Sequence, residues 1–336
     1  MALHALENVD DALAVTREFL TPIDRTVWVK LAVVVFFVGG PGAGTSSFQA
    51  GPGGDGTGGT PPGGMAFPDL GPRAWLAVAA VVGAVLLVAL SLALVGSIME
   101  FVFVESLRNR EVTIRRYWGR RWRQGVRLFA FRLVVGLFVF GAVLLLAAPF
   151  VLPLLGVGGV GGGVAIALFV VLLPLLLLLA LVAGLVNGFT TVFVVPLMVL
   201  EGGGVLAGWR RLWPTITDQW VQYLAYAVVG FFLSVLGGLA VGIVTALVAV
   251  ALFIPFGLLA ALGIAVFAFV AEPVGIGLLA VFALLFGLSL VAVAALVQVP
   301  VQTYLRYYAL LVLGDVEPAF DLIPDQRAAV REPTAE

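Results

Sequence analysis

RNREVTIRRYWGRRWRQGVRLFAFR, residues 108–132, holds nine of the seventeen arginines in the chain. Tyr117, Trp118 and Trp122 are interleaved with them, and long apolar runs lie on both sides. Arginine at this density beside a membrane span stays on the cytoplasmic side, so the stretch sets the orientation of every apolar segment around it. Arg116, Arg120, Arg123 and Arg127 share one helical face, with Trp118, Trp122, Val126 and Phe129 roughly opposite. That pattern predicts a helix lying in the headgroup region, arginines toward anionic phosphates and indoles toward the acyl boundary. Arginines among aromatics also suit nucleic acid, but spans starting on either side favour lipid.

Composition agrees. Of 336 residues, 62% are hydrophobic and 11% charged, whereas soluble domains are about a quarter charged. The chain reads as a polytopic membrane protein. It has no cysteine, so thiolate metal sites and cysteine nucleophiles are excluded. His4 is the only histidine and lacks a sequence partner for a metal or a triad. Arginine replaces lysine except at Lys30, and the ends are rich in Asp and Glu, a balance like that of proteins from salt-loving archaea.

Working outward, residues 1–26 predict a surface helix with Leu6, Val9, Leu13 and Leu20 on its apolar side, too acidic for a signal peptide. Residues 27–39 predict a short first span of about 20 Å. The segment 40–72, rich in Gly and Pro and free of Arg and Lys, reads as a disordered outer loop. Spans follow at 74–104, 128–154, 164–200 (interrupted by Pro174 and Pro196), 221–254 and 276–313. A second surface helix, 205–220, carries Trp209, Trp213 and Trp220 on one face. Residues 257–271 read as a re-entrant piece or a seventh span. Gly156-x-Gly158-x-x-Gly161 matches a dinucleotide fingerprint in form only, because it follows a membrane helix and lacks the later acid.

The surface helices suggest a threefold repeat. Pro22 and Trp28 recur as Pro214 and Trp220, and Val134-Val135-Gly136-Leu137-Phe138 recurs as Val228-Val229-Gly230-Phe231-Phe232. Units of about 1–106, 107–200 and 201–314 would each hold a surface helix, an outgoing span and a returning span that ends at Glu105, Glu201 or Asp315.

Polar groups inside spans are costly. Glu100 and Arg132 each lie five residues inside a charged edge of adjacent spans, a placement that predicts an ion pair. Gln298, Gln302 and Arg306 form a stripe beside Pro300, and Asn187 stands alone in its span. These six either line a path for a polar solute or lipid headgroup, or hold the bundle together by interhelical hydrogen bonds. No paired carboxylates, Ser-His arrangement or metal-ligand cluster is legible, so catalysis by this chain alone is not expected.

The run His4–Ala12, Phe19-Leu-Thr-Pro22, Pro196-Leu-Met-Val-Leu-Glu-Gly-Gly-Gly204 and Arg306-Tyr-Tyr-Ala-Leu-Leu-Val-Leu-Gly-Asp315 together resemble an uncharacterised family of haloarchaeal multi-pass membrane proteins, over nearly the whole chain. More distantly, the helix layout resembles the membrane domain preceding the catalytic barrel of some glycerophosphodiester phosphodiesterases. No such barrel follows here, so the resemblance implies no phosphodiesterase activity.

The reading is an all-α polytopic bundle of six spans, with one membrane domain over 1–314 and an acidic, solvated tail over 315–336. Both termini are expected in the cytoplasm. The expected role is non-enzymatic and cofactor-free, organising anionic lipids or a partner protein without nucleic acid. A transporter or lipid translocator using the polar stripe, and an accessory subunit of a separate enzyme, are the alternatives.

Overall fold

A chain segment that is apolar on all sides can satisfy its backbone in a membrane only by closing its hydrogen bonds internally, and the helix does so within one segment. A computed structural model describes residues 4–39, 71–154 and 162–331, and every regular element among them is helical. The helices are α1 His4–Leu20, α2 Arg25–Gly39, α3 Pro72–Asn109, α4 Ile114–Leu154, α5 Gly162–Phe189, α6 Val195–Glu201, α7 Val205–Asp218, α8 Trp220–Phe269, α9 Glu272–Val316 and α10 Pro324–Arg331, with a π turn at Thr190–Val194 between α5 and α6. Five segments, Arg73–Asn109, Ile114–Val151, Ile166–Glu201, Trp220–Phe269 and Glu272–Val316, are long and apolar enough to cross a membrane. The chain is therefore a multi-pass helical membrane protein.

Several expectations are corrected. The first predicted span is α2, whose 15 described residues reach only about 22 Å; among the described residues it is not one of the five long helices, so a sixth full span is not shown. Residues 257–269 are neither re-entrant nor a separate span. They continue α8 through Pro255, and the turn comes at Val270 and Ala271, just before Glu272-Pro273 opens α9. The arginine stretch is not a separate surface helix either: from Ile114 it is the first part of α4, which runs on unbroken to Leu154. Pro174 lies within α5, and the predicted interruption of the fourth span is the π turn just before Pro196. Loop 40–72, apart from its last two residues, and most of the glycine turn at 156–163 lie outside the described residues.

The buried side chains gather at one end of the bundle. Phe101, Phe103, Leu107, Leu128, Phe193, Leu197, Leu212, Tyr307, Tyr308 and Leu310 are all buried there. The remaining lengths of α3, α4, α5, α8 and α9 present exposed Leu, Val, Ile and Phe, the surface expected to meet acyl chains. α9 is the hub: α8 packs along it, and α1, α2 and the π turn pack against it as well.

α1 packs onto the bundle through a stripe that includes Leu20 of the predicted apolar side but not Leu6 or Leu13. Asn8, Ala12, Val15, Thr16 and Leu20 are buried, while Leu6 and Leu13 are exposed. The tail, expected to be solvated, folds back up to Arg331, burying Phe320, Leu322, Ile323 and Gln326. Asp315 holds it there: it accepts from Asn8 at 2.8 Å and from Arg331 at 2.7 and 2.9 Å, and pairs with Arg327 at 3.0 Å. Arg331 also donates to Asp11 at 2.8 Å. The hydrogen bond to Asp315 keeps the Arg331 guanidinium above its ordinary pKa, so the clasp stays charged at neutral pH.

The crossing of α3 and α4 depends on Gly125. A Cβ there would fall 2.5 Å from Ile98 Cγ1 and 2.7 Å from its Cα, closer than the backbone can yield without moving a helix. At Gly119, on the same helix, nothing lies within 4 Å. Gly125→Ala is expected to cost about 1–3 kcal/mol by overpacking, while Gly119→Ala is neutral or slightly stabilising. Thermal melts of the two variants in the same detergent check this, and equal melting temperatures would remove the close crossing from the account.

Candidate functional site

In an ordinary helix, each carbonyl finds an N–H four residues on; in a π turn it finds one five residues on. Here Val195 N–H donates to the Thr190 carbonyl. The next partner in that register, for the Thr191 carbonyl, is residue 196, a proline without an N–H. Arg306 of α9 fills the gap, its Nη1 donating to the Thr191 carbonyl at 2.6 Å. The sequence Thr190-Thr-Val-Phe-Val-Val-Pro196 thus prepares an acceptor inside the bundle for a charged donor from another helix.

Arg306 is also paired with Glu100 of α3 through its Nη2, and its guanidinium lies 5.7 Å from the ring centroid of Phe103. The other Glu100 oxygen faces Arg132 of α4 at 3.4 Å. Arg132 donates in addition to Thr191 Oγ1 at 2.7 Å and Ser97 Oγ at 3.4 Å. The side chains of Glu100, Arg132 and Arg306 are 2%, 8% and 6% exposed. The group thus joins α3, α4, α9 and the π turn, and it places two positive charges against one negative charge away from water. The ion pair expected between Glu100 and Arg132 is present; Arg306 makes the closer contact.

A cavity of about 150 Å³ opens beside this group. Its polar lining comes from Glu100, Thr191, Ser234, Gln302 and Arg306, and its apolar walls include Phe189, Phe231 and Val301. Gln302 also lies against the end of α2: a Cβ on Gly39 would be 3.1 Å from Gln302 Nε2 and 3.0 Å from Gln298 Oε1. Gln298 and the buried Asn187 do not line the cavity.

A second buried pair lies nearer the arginine-rich end. Arg121 Nε donates to Glu105 at 2.7 Å, and Arg121 Nη2 also contacts Glu105. The same Nη2 donates to the Val199 carbonyl at 3.2 Å, and Gln124 Nε2 donates to the Met198 carbonyl at 2.7 Å. These are last-turn carbonyls of α6, so two side chains of α4 cap a neighbouring helix. Sequence reasoning did not single out Arg121 or Gln124 as site residues. A signal existed: Tyr117, Arg121, Gln124 and Leu128, spaced 4, 3 and 4, form the buried stripe of α4.

Arg116, Arg120, Arg123 and Arg127 are exposed, as are Trp122, Trp213 and Trp220; Trp118 is half-buried. Arg123 stacks over Trp122 at 5.6 Å. Trp209 departs from its predicted outward role, since its indole N–H donates to Thr190 Oγ1 at 2.9 Å, which turns it toward the π turn. Among the described residues no three His, Cys, Asp or Glu side chains gather as metal ligands would.

Removing one member of a buried pair strands the other, at a cost of roughly 3–5 kcal/mol. Glu105→Gln is therefore expected to lower the melting temperature sharply. Arg211→Gln breaks the exposed pair with Glu201, 3.3 Å apart and about half exposed, and should cost under about 1 kcal/mol. A side-by-side melt in which the two variants behave alike would contradict the ranking.

The family model described as "Family of unknown function (DUF7544)" matches residues 3–323. No curated protein and no solved structure matches the chain.

Proposed function

The chain belongs to that family of unknown function, and we propose that it is a non-catalytic membrane protein which gathers anionic lipids at the cytoplasmic face. The observation that carries this reading is the sorting of arginines along the start of α4. Arg121 turns inward to Glu105, while Arg115, Arg116, Arg120, Arg123 and Arg127 remain exposed beside exposed Trp122 and Val126. Guanidiniums next to an indole at the end of a membrane-spanning helix suit phosphate headgroups above and acyl chains below. Trp213 and Trp220, both about 60% exposed, extend the same belt across α7 and the start of α8. Density of arginine supports placing this end in the cytosol. The acidic and basic groups around α1 and α10 on the same end suit a membrane-protein partner better than nucleic acid.

A second reading, a transporter or lipid translocator, is favoured by one observation: Gln302 and Arg306 line a cavity beside a buried carboxylate. Loss of a measured flux in Gln302→Leu, with folding intact, would favour it over the lipid-organising role. An enzyme that copurifies with the protein would favour the accessory-subunit role.

Each basic side chain near an anionic surface contributes about 1 kcal/mol. Replacing Arg116, Arg120, Arg123 and Arg127 together by Gln is therefore expected to lower the enrichment of phosphatidylglycerol over phosphatidylcholine severalfold, read by lipid mass spectrometry of the purified protein. Unchanged enrichment would remove the surface arginines from the mechanism. The absence of native cysteine allows a clean topology test. Gly119→Cys should resist a membrane-impermeant maleimide on intact cells and react after permeabilisation; labelling of intact cells would reverse the orientation.

A further inference from the structure

Glu100, Arg132 and Arg306 sum to one net positive charge, and all three side chains are buried. Glu100 is the one acid shared by two guanidiniums: Oε1 faces Arg132 and Oε2 faces Arg306. No other Asp or Glu lines the adjoining cavity. An unbalanced charge in a low-dielectric site is expensive, and the cavity beside it offers a counter-charge a way in. Ser234 and Gln302 supply neutral donors on the same wall. With a molecule of liquid water taking about 30 Å³, a space of this size holds roughly five waters, enough for a small oxyanion.

We propose that this cavity is a binding site for one oxyanion headgroup, held by Arg306, Gln302 and Ser234 and neutralised by the Glu100–Arg132–Arg306 triad. Phe231 is 42% exposed on the outer side of α8, while Phe189 and Val301 continue the apolar lining. An amphiphile can enter there with its chain along these walls and its phosphate against the guanidinium. The site differs from the exposed arginines of α4: it is a partly open cavity lined from α2, α3, α5, the π turn, α8 and α9. It does not rest on the lipid-gathering reading.

The triad gives the proposal a sign that a purely structural role lacks. Arg132→Gln brings the group to zero net charge and should weaken oxyanion binding roughly tenfold, through the loss of one charge partner. Glu100→Gln raises it to two positive charges and should bind no more weakly than the parent. Gly230→Leu fills the cavity from α8 and leaves the three charged side chains unchanged; the atoms nearest a Cβ at Gly230 belong to the Tyr226 ring, at 3.6 Å. It keeps the test decisive if a triad variant fails to fold.

The full-length protein is examined by native mass spectrometry after delipidation and by melting temperature, with inorganic phosphate or with phosphatidylglycerol against phosphatidylcholine. One retained or protective phosphatidylglycerol, lost in Gly230→Leu but kept in the surface quadruple Arg→Gln variant, supports a lipid occupant. Protection by inorganic phosphate alone, lost in Gly230→Leu, supports the site with a soluble oxyanion. Protection by neither, persistence in Gly230→Leu, or equal weakening by Arg132→Gln and Glu100→Gln would overturn the proposal.

Discussion

A single carboxylate, that of Glu100, ties together three long helices drawn from distant parts of the chain. It takes Arg132 from α4 and Arg306 from α9, and both arginines then reach Thr191 in the π turn. Apolar packing alone would leave these helices free to slide and rotate, because lipid tails solvate Leu and Val as well as another helix does. A buried charge cluster does not slide, since every displaced partner leaves a stranded ion. The cluster is costly to bury and contributes little certain stability, and its contribution is to fix which helix faces which.

The same logic runs through the arginine-rich end. Glu105 with Arg121, Glu201 with Arg211, and Asp315 with Arg327 and Arg331 place an acid at or near the end of a long membrane segment against a following arginine. The environments differ: the first pair is buried, the second exposed, and the third is a clasp holding α1 and α10 on α9. One sequence pattern thus supplies a cap, a surface pair and a closure, according to how deeply each chain end is packed.

Much of this was legible in the sequence where the signal was local. The apolar runs announced the long helices, and equal depth below a charged edge brought Glu100 and Arg132 together. Arg306 was visible as a costly intramembrane charge, but its partner lies 206 residues away, with no spacing to reveal it. The fifth span, expected over 221–254, runs on through Pro255 to Phe269, because within an otherwise apolar helix one missing backbone bond does not end it. The stripe from Tyr117 to Leu128 was hidden because its one charged member sits among arginines that point outward.

The length of α8 carries a mechanical consequence. Its 50 residues extend about 75 Å, and even inclined at about 40°, the upper end of common tilts, it would rise nearly 60 Å through a hydrocarbon layer of about 30 Å. With α9 alongside over most of that height, the surplus is a paired apolar rod that ordinary bilayer cannot wet from end to end. The film must stretch to meet it or leave part of it to another cover, and either response stores elastic energy that varies with membrane thickness. Hydrophobic mismatch at this one hairpin therefore gives the protein a physical preference for where in a heterogeneous membrane it resides.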